Sequence, residues 1–283
     1  LDFASGSAIA FSSEKADKAN KAENGIENVL DFVGMPVPSV YSADLSEFVF
    51  AAGVKLLESF KPDLMYLSTT DYVQHKAAPG SEMADSFYAM FDAYVGKLDA
   101  LGCTLVVTAD HGMNDKSNPD GSPKVIYLQD VLDGLYGEGK TKVILPITDP
   151  YVAHHGALGS FATVFFREEL PSLAVIDAVS KLPGVELVLD RQTAVTTCDL
   201  PPDRIGDIVV IGDRETVLGT GKQKHDLSQL GGMRLRSHGG LADRQVYFVL
   251  SRKLNDDYEG IAKSRQLFNY DIFDFALNGV DSQ

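Results

Sequence analysis

The chain has 283 residues, 45% of them hydrophobic, which is enough for a substantial buried core. Its formal net charge of −15 at pH 7 argues against a nucleic-acid or anionic-membrane partner, because the chain's own field repels polyanions. No apolar run reaches the roughly 18 residues that a membrane span requires, so no membrane partner is expected.

The two cysteines, Cys103 and Cys198, give neither a disulfide framework nor a CxxC metal clip. This usage favours a reduced compartment, and we expect a cytoplasmic protein. The first residues show no basic-then-apolar signal segment, although the sequence begins at Leu1 rather than at a methionine. We therefore expect that a further N-terminal segment precedes Leu1.

Helical periodicity marks two long segments in the first third of the chain. Apolar residues recur every three or four positions between Asp44 and Pro62, and Asp44 followed by Glu47 predicts a capping box. The same spacing runs over residues 82–101, and Gly102 predicts the end of that second helix.

A short apolar run follows each of these predicted helices. The segments "DLMYLST" (63–69) and "TLVVTAD" (104–110) predict buried strands. Helices that alternate with continuously apolar strands are typical of an α/β protein with a mostly parallel central sheet and helices on both faces. In such sheets, ligands bind beyond the carboxyl ends of the strands.

The pattern changes after Lys116, where "SNPDGSP" predicts a turn. From there the predicted strands are short, with one helix at 172–182, which indicates an inserted α+β cap. We therefore predict a metal-binding α/β core formed by residues 1–116 and 232–283, and a cap domain formed by residues 117–231.

The return from cap to core is predicted to be a mobile linker. Residues 218–232, "LGTGKQKHDLSQLGG", are rich in glycine and polar side chains. After them, "RQVYFVLS" (244–251) predicts a core strand, and "NYDIFDFALNG" predicts a final helix that is capped by Asn269 and closed by Gly279.

Acidic residues and histidines follow both strands predicted in the first part of the chain. Asp71 and His75 lie four positions apart, a spacing that suits a helical turn or a tight loop, and Asp110 is adjacent to His111. Each pair alone also fits an ordinary turn, but the carboxyl ends of successive parallel strands share one sheet edge. His238, in the glycine-rich "SHGG", adds a third imidazole, and this ligand set suits zinc, manganese or iron. We predict one metal site with Asp71, His75 and His238, and a second, one ligand short, with Asp110 and His111.

The segments "TADHGM", "TTDYVQH" and "SHGG" resemble the two-metal core of the alkaline phosphatase superfamily, in the branch of nucleotide pyrophosphatase/phosphodiesterases and phosphonoacetate hydrolases. The segments "SAIAFSSEKADKA", "MYLSTTDYVQHK" and "NYDIFDFALNG" resemble phosphonoacetate hydrolases most, and the resemblance covers essentially the whole chain. It implies an alkaline phosphatase-like core with two zinc ions. It also implies a small anionic phosphonate substrate, phosphonoacetate, whose carbon–phosphorus bond is cleaved to acetate and phosphate.

The resemblance also implies the roles of individual residues. Asp71, His75 and His238 match the ligands of one zinc ion, and Asp110 and His111 match two ligands of the other. In the family, the second ion takes a further aspartate, and a threonine nucleophile forms a phospho-threonine intermediate. Both belong to a segment before the chain shown, so the chain alone is expected to be inactive. Manganese or iron(II) in place of zinc, and a homodimer, stay open.

Some residues could take other roles, but the simpler interpretation is preferred for each. Thr69 and Thr70 are expected to be strand-end residues and not the nucleophile. Lys15 and Lys18 could meet a substrate carboxylate, although a solvated surface is the commoner place for such lysines.

The remaining histidines have no role in the metal sites as predicted. His154 and His155 are expected in a hydrogen-bonded cap loop, with a gate over the pocket as the less favoured alternative. His225 is expected to be solvated in the linker, and Cys103 is expected to behave as a small apolar residue.

Two other functions stay open. A phosphodiesterase or nucleotide pyrophosphatase would use the same metals with a pocket for a nucleobase, and would release a nucleoside monophosphate. A non-catalytic metal-binding remnant would keep the metals for structure alone and would show bound metal without turnover.

Overall fold

The structure is a computed structural model that describes residues 2–3, 5–147 and 153–280. The helices and strands of these residues are, in chain order, α1 (Lys21–Asn24), α2 (Val29–Val33), α3 (Asp44–Phe60), α4 (Tyr72–Lys76), α5 (Glu82–Ala100), β1 (Val106–Thr108), β2 (Asn114–Asp115), β3 (Val125–Tyr127), α6 (Leu128–Tyr136), β4 (Thr141–Ile144), β5 (Phe161–Phe166), α7 (Ser172–Ser180), β6 (Val185–Asp190), α8 (Arg191–Cys198), β7 (Ile208–Gly212), β8 (Val217–Gly219), β9 (Arg236–Ser237), β10 (Phe248–Leu250), α9 (Asp256–Ser264) and α10 (Ile272–Asn278). Short 3-10 turns add Ser13–Lys18, Lys222–Lys224, Ser228–Leu230, Leu241–Asp243 and Asn269–Asp271.

The chain forms two compact units. The first unit comprises residues 1–108 and 247–283, and the second unit comprises residues 109–246. The predicted division into a core and an inserted cap stays a prediction. Within the described residues, no helix has both the length and the apolar character that crossing a membrane requires.

The helices α3 and α5 pack together in the first unit, and both were predicted from their apolar periodicity. Phe48 of α3 is fully buried, and the Phe50 ring packs on that of Phe91 with centroids 5.1 Å apart. The predicted capping box is wrong, because Asp44 is the first helical residue and the N-cap, Ala43, makes no side-chain cap. Asp44 lies instead in the first turn, where a negative charge complements the helix dipole.

The segment 63–69 does not form the predicted buried strand. It forms no strand, and the residues Leu64 and Tyr66 are 67% and 75% exposed. An apolar run becomes a strand only where another strand supplies a hydrogen-bonded neighbour, and the described residues provide none for this segment. The prediction of a strand around Val106 is confirmed, since β1 pairs antiparallel with β10.

The C-terminal helix is present but begins later than predicted. Asn269 lies in the 3-10 turn before it, so the prediction of Asn269 as the N-cap is wrong. The N-cap position of α10 is Asp271, whose carboxylate accepts the main-chain N–H of Phe268 at 2.7 Å. Gly279 closes α10, as predicted.

The core of the second unit is a four-stranded antiparallel sheet in the order β4-β5-β7-β6. Every residue of β7 is buried, and α7, predicted at 172–182, packs against β6 and β7. The prediction of a mobile linker at 218–232 is wrong at its start, because β8 pairs parallel with β3 and Leu218 is fully buried. This strand is short, and two apolar residues between polar neighbours are too few to predict a strand from the sequence.

Candidate metal centre

Asp71 and His75 lie at the two ends of a single helical turn in the first unit. Asp71 is the N-cap of α4, and its carbonyl accepts the main-chain N–H of His75 at 3.0 Å. Residues four apart on a helix share a face, so His75 Nε2 lies 3.1 Å from Asp71 Oδ2. Of the two local geometries that the spacing allows, the helical turn is therefore the one adopted.

The spacing of this pair suits a metal ion. Two ligand atoms at about 2.0 Å from a tetrahedral zinc ion lie roughly 3.3 Å from each other. The 3.1 Å between His75 Nε2 and Asp71 Oδ2 is close to that value. His75 is buried, with a side chain 1% exposed, whereas the Asp71 side chain is 41% exposed.

Asp110 and His111 form the matching pair in the second unit. The main-chain N–H of His111 donates to Asp110 Oδ1 at 3.1 Å, and His111 Nε2 lies 3.6 Å from Asp110 Oδ2. On its other side, His111 Nδ1 lies 3.0 Å from the carbonyl oxygen of Gly112. A proton on Nδ1 that is donated to this carbonyl makes Nε2 the electron-pair donor, which is the usual arrangement of a metal-binding histidine.

The ring of His238 lies against the ring of His111. Their centroids are 3.5 Å apart and their planes differ by 8°. An imidazole binds a metal through a lone pair in its own plane, so one ion cannot lie in the planes of two parallel stacked rings. The stack therefore suits two separate ions, which in two-metal sites lie about 3.5–4 Å apart.

The glycine that follows His238 allows an unusual backbone conformation. Gly239 has a φ of +104°, a conformation that residues with a side chain rarely adopt, and a Cβ there would lie 3.2 Å from Ser160 N. The Ser160 N–H donates to His238 O at 2.8 Å, and Ser237 Oγ donates to Leu158 O at 2.5 Å. The main chain on both sides of His238 is thus fixed to residues 158–160.

A buried ion pair lies beside these loops. Lys116 Nζ is 3.0 Å from Asp243 Oδ2, and the two side chains are 0% and 1% exposed. Burial lowers the pKa of the Lys116 ammonium, and the Asp243 carboxylate opposes that shift. The pattern of apolar residues does not predict this pair, because such patterns assign charged residues to the surface. The one local hint is that Asp243 follows Gly240 at the spacing of a capping box.

The prediction that His225 is solvated is wrong. It is half-buried, and its Nε2 accepts the main-chain N–H of Thr220 at 2.9 Å. Because Nε2 is an acceptor, Nδ1 carries the proton and donates it to Gly156 O at 2.7 Å. The imidazole thereby joins residues 219–225 to the loop that contains His154 and His155.

His154 and His155 are buried in a loop that follows residues 148–152, which lie outside the described residues. The two rings meet edge to face with centroids 4.6 Å apart, and the residues are 8% and 4% exposed. The His155 carbonyl accepts the N–H of Leu158 at 3.2 Å, which agrees with a hydrogen-bonded loop. The alternative of a gate over the pocket stays a prediction.

Four further candidate residues of the first unit are at its surface. Lys15 is 64% exposed and pairs with Glu14 at 3.3 Å, and Lys18 is exposed, as expected of solvated lysines. Thr69 and Thr70 are also exposed.

Cys103 is half-buried, and its thiol donates to Leu98 O at 3.1 Å. Burial raises the pKa of the thiol, so the protonated, unreactive form predominates near neutral pH.

The sequence model of the type I phosphodiesterase/nucleotide pyrophosphatase family matches residues 18–240. The chain belongs to this family. The matched range contains Asp71, His75, Asp110, His111 and His238.

Two solved structures of phosphonoacetate hydrolase from Sinorhizobium meliloti 1021 are similar to this chain. The complex with phosphonoformate is 52% identical with a TM-score of 0.90, and the complex with phosphonoacetate is 50% identical with a TM-score of 0.88. Both matches cover 99% of this chain and 66% of the other. The chain therefore spans just under two thirds of the length of these relatives.

A more distant similarity concerns the fold alone. Murine ectonucleotide pyrophosphatase/phosphodiesterase 5 is 19% identical over 78% of this chain and 55% of its own, with a TM-score of 0.50.

The family match and the phosphonoacetate hydrolase structures together confirm the predicted resemblance and the alkaline phosphatase-like α/β fold. Among the described residues, the sheet pairing is mixed, with β3 and β8 parallel and the other strand pairs antiparallel.

Proposed function

We propose that this chain supplies the metal-binding part of a phosphonate hydrolase that cleaves phosphonoacetate to acetate and phosphate. The observation that carries the proposal is 52% identity, over 99% of the chain, to a phosphonoacetate hydrolase solved with phosphonoformate. A second structure of that relative contains phosphonoacetate itself.

Two zinc ions are the proposed cofactors. Asp71, His75 and His238 would hold one ion, and Asp110 and His111 would hold the other. The proposal is supported by the 3.1 Å and 3.6 Å spacings of the two Asp–His pairs and by the stack of His111 on His238. Manganese and iron(II) also accept carboxylate and imidazole ligands, so the same donor set suits them.

The donor set determines what chemistry this part of the chain can support. Zinc ions held by these residues would supply positive charge at a phosphoryl centre and would ease the loss of a hydroxyl proton near neutral pH. The chain itself carries a net charge of −15, so an anionic phosphonate needs such local compensation. The carboxylates of Asp71 and Asp110 and the imidazoles of the three histidines would hold that charge in place.

The covalent steps follow from the family resemblance. The proposed nucleophile is a threonine outside residues 1–283, whose hydroxyl oxygen attacks phosphorus. The carbon–phosphorus bond breaks with its electron pair on carbon, which takes up a proton to give acetate. Water then hydrolyses the phospho-threonine and releases phosphate, so one water is consumed for each substrate. The 283-residue chain alone is therefore proposed to be inactive.

The family match also supports a second candidate, a phosphodiesterase or nucleotide pyrophosphatase. It would use the same Asp and His residues, but it would release a nucleoside monophosphate. A third candidate, a non-catalytic metal-binding remnant, would bind zinc and turn over neither substrate.

Product analysis tests these candidates. The full-length protein that contains this chain is incubated with zinc and phosphonoacetate, and acetate and phosphate are measured. We expect both products in equal amounts from the full-length protein, and none from residues 1–283 or from the full-length His238→Ala variant. Release of a nucleoside monophosphate from its nitrophenyl ester, without acetate from phosphonoacetate, would favour the second candidate. Bound zinc without turnover of either substrate would favour the third.

The cellular location and the kind of partner are proposed from the cysteines and the net charge. The free thiols of Cys103 and Cys198 support a cytoplasmic location. The acidic charge supports a small anionic substrate and not a nucleic acid or a membrane surface. A homodimer stays open.

A further inference from the structure

The second unit contains a buried residue, Asp243, that contacts both histidine loops, one through its carboxylate and one through its main-chain carbonyl. Asp243 is 2% exposed, and its Oδ2 accepts the main-chain N–H of Gly240 at 2.9 Å. Gly240 lies two residues after His238. The main-chain carbonyl of Asp243 accepts the N–H of Gly112 at 2.6 Å, and Gly112 directly follows His111. One residue therefore holds backbone next to each of the two stacked rings.

Two further side chains complete the hydrogen bonds of this carboxylate. Asn114 Nδ2 donates to Asp243 Oδ1 at 2.6 Å, and Lys116 Nζ donates to Asp243 Oδ2 at 3.0 Å. Lys116 Nζ also donates to Arg214 O at 2.9 Å, so the buried ammonium has defined partners on two sides. Arg214 Nε in turn donates to Asn114 Oδ1 at 2.9 Å, which fixes the orientation of the amide.

Strand pairing also joins the segment after His111 to the segment before His238. Asn114 and Asp115 of β2 pair antiparallel with Ser237 and Arg236 of β9. The ladder is only two residues long, so it cannot by itself fix the residues beyond its ends. His111 lies three residues before β2, and His238 directly follows β9. The contacts of Asp243 with Gly112 and Gly240 lie beyond the ladder, on the side of the histidines.

We propose that Asp243 is a positioning residue that sets the stacked geometry of His111 and His238 and thereby the metal-binding form of the two loops. The proposal rests on the proposed function for its link to metal, but the ring geometry that it concerns is present in the described residues. Residues that support metal ligands from behind act in this way, and their loss typically costs about 10–100-fold in metal affinity.

The test compares Asp243→Asn with a matched control, Asp207→Asn. The control removes the same charge from another ion pair of the second unit, Arg191 with Asp207 at 3.0 Å. Zinc affinity is measured on the 283-residue chain by competition with a fluorescent chelator, and the histidine ring signals are recorded by NMR without metal. We expect about 10-fold or greater weakening of zinc binding for Asp243→Asn, with shifted His111 and His238 signals. The control should change affinity less than about 2-fold and leave both ring signals in place.

Unchanged ring signals and unchanged zinc affinity in a folded Asp243→Asn variant would overturn the proposal. If that variant does not fold, Asn114→Ala removes one bond to Asp243 while the buried ion pair stays, and it should shift both ring signals. An Asn114→Ala variant with parental ring signals would count against the proposal equally. The ring signals need neither zinc nor substrate, so a protein that fails to cleave phosphonoacetate would refute the proposed function and leave this inference standing.

Discussion

The imidazole rings of His111 and His238 stack in parallel, with centroids 3.5 Å apart and planes 8° apart. Because each ring offers its lone pairs only within its own plane, the stack supports the proposal that the two histidines bind different ions. The contact of His111 Nδ1 with Gly112 O at 3.0 Å favours the tautomer whose Nε2 offers a lone pair. The proposal thus divides the two touching rings between two ions.

Zinc binding by variants of this chain should reveal that division. One proposed site has three ligands in the chain (Asp71, His75 and His238), and the other has two, so we expect about one tightly bound zinc ion. His238→Ala should remove it, whereas His111→Ala, which removes the stacked ring but no ligand of that ion, should only weaken it. Zinc content after dialysis provides the measurement. His225→Ala is the control, because His225 belongs to neither of the proposed metal sites. Equal loss in the His111 and His238 variants would mean that the two rings share one ion.

The features that sequence alone predicted are those set by local patterns. The helices α3 and α5 follow from apolar residues at helical spacing, and the Asp–His pairs follow from short motifs. The segment 63–69 was mispredicted because an apolar run does not tell whether a hydrogen-bonded neighbour lies beside it. Leu64 and Tyr66 are exposed there, and the run forms no strand.

The features that sequence did not predict depend on distant partners. Asp243 and Lys116 are charged and yet buried, and each is paired with a residue 127 positions away in the chain. His225 bonds Gly156, which is 69 positions away, in a segment whose composition alone indicates a linker. Burial of polar groups needs partners of this kind, and no periodicity of one segment contains that information.

Gly239→Ala should weaken both the fold and the zinc site. The φ of +104° at Gly239 is strained for alanine, and the added Cβ would approach Ser160 N, so we expect a loss of about 1–3 kcal/mol in the free energy of unfolding. Gly232→Ala is the control, because Gly232 has a φ of +86° with open space around the added Cβ. Urea unfolding should show a loss in both variants, and chelator competition should show weaker zinc binding in Gly239→Ala alone. Parental zinc affinity in that variant would show that the turn does not control His238.

His225→Phe should release the loop that contains His154 and His155. The substitution keeps a ring of similar size but removes the acceptor of the Thr220 N–H and the donor to Gly156 O. A buried main-chain group that loses its partner costs about 1–3 kcal/mol, so the free energy of unfolding should fall by that amount. Hydrogen exchange of the Thr220 amide should become faster, while Lys224→Ala, an exposed neighbour, should change neither quantity. Unchanged exchange at Thr220 would mean that the imidazole does not hold the loop.

Asp271 should make the C-terminal helices sensitive to acid. Its carboxylate accepts two hydrogen bonds from the Arg265 guanidinium, at 2.8 and 2.9 Å, and one from the Phe268 N–H at 2.7 Å. Arg265 first, and then the Phe268 N–H, lower the pKa of Asp271 to about 2, against about 3.9 for an unfolded chain. The folded state therefore binds fewer protons than the unfolded state between these values. The stabilisation is complete above about pH 4 and is lost as the pH falls towards 2.

Asp271→Asn should lower the free energy of unfolding at pH 7 by about 1–2 kcal/mol, after allowance for screening of the partly exposed Arg265. The difference from the parent should shrink as the pH falls from about 4 and should be small near pH 2, as measured by urea unfolding at a series of pH values. Arg265→Gln removes the principal partner, so it should reproduce most of the loss, and the double variant should lose little more than Asp271→Asn alone. A loss that is the same at pH 7 and at pH 2, or one that simply adds in the double variant, would show that the ion pair is not its source.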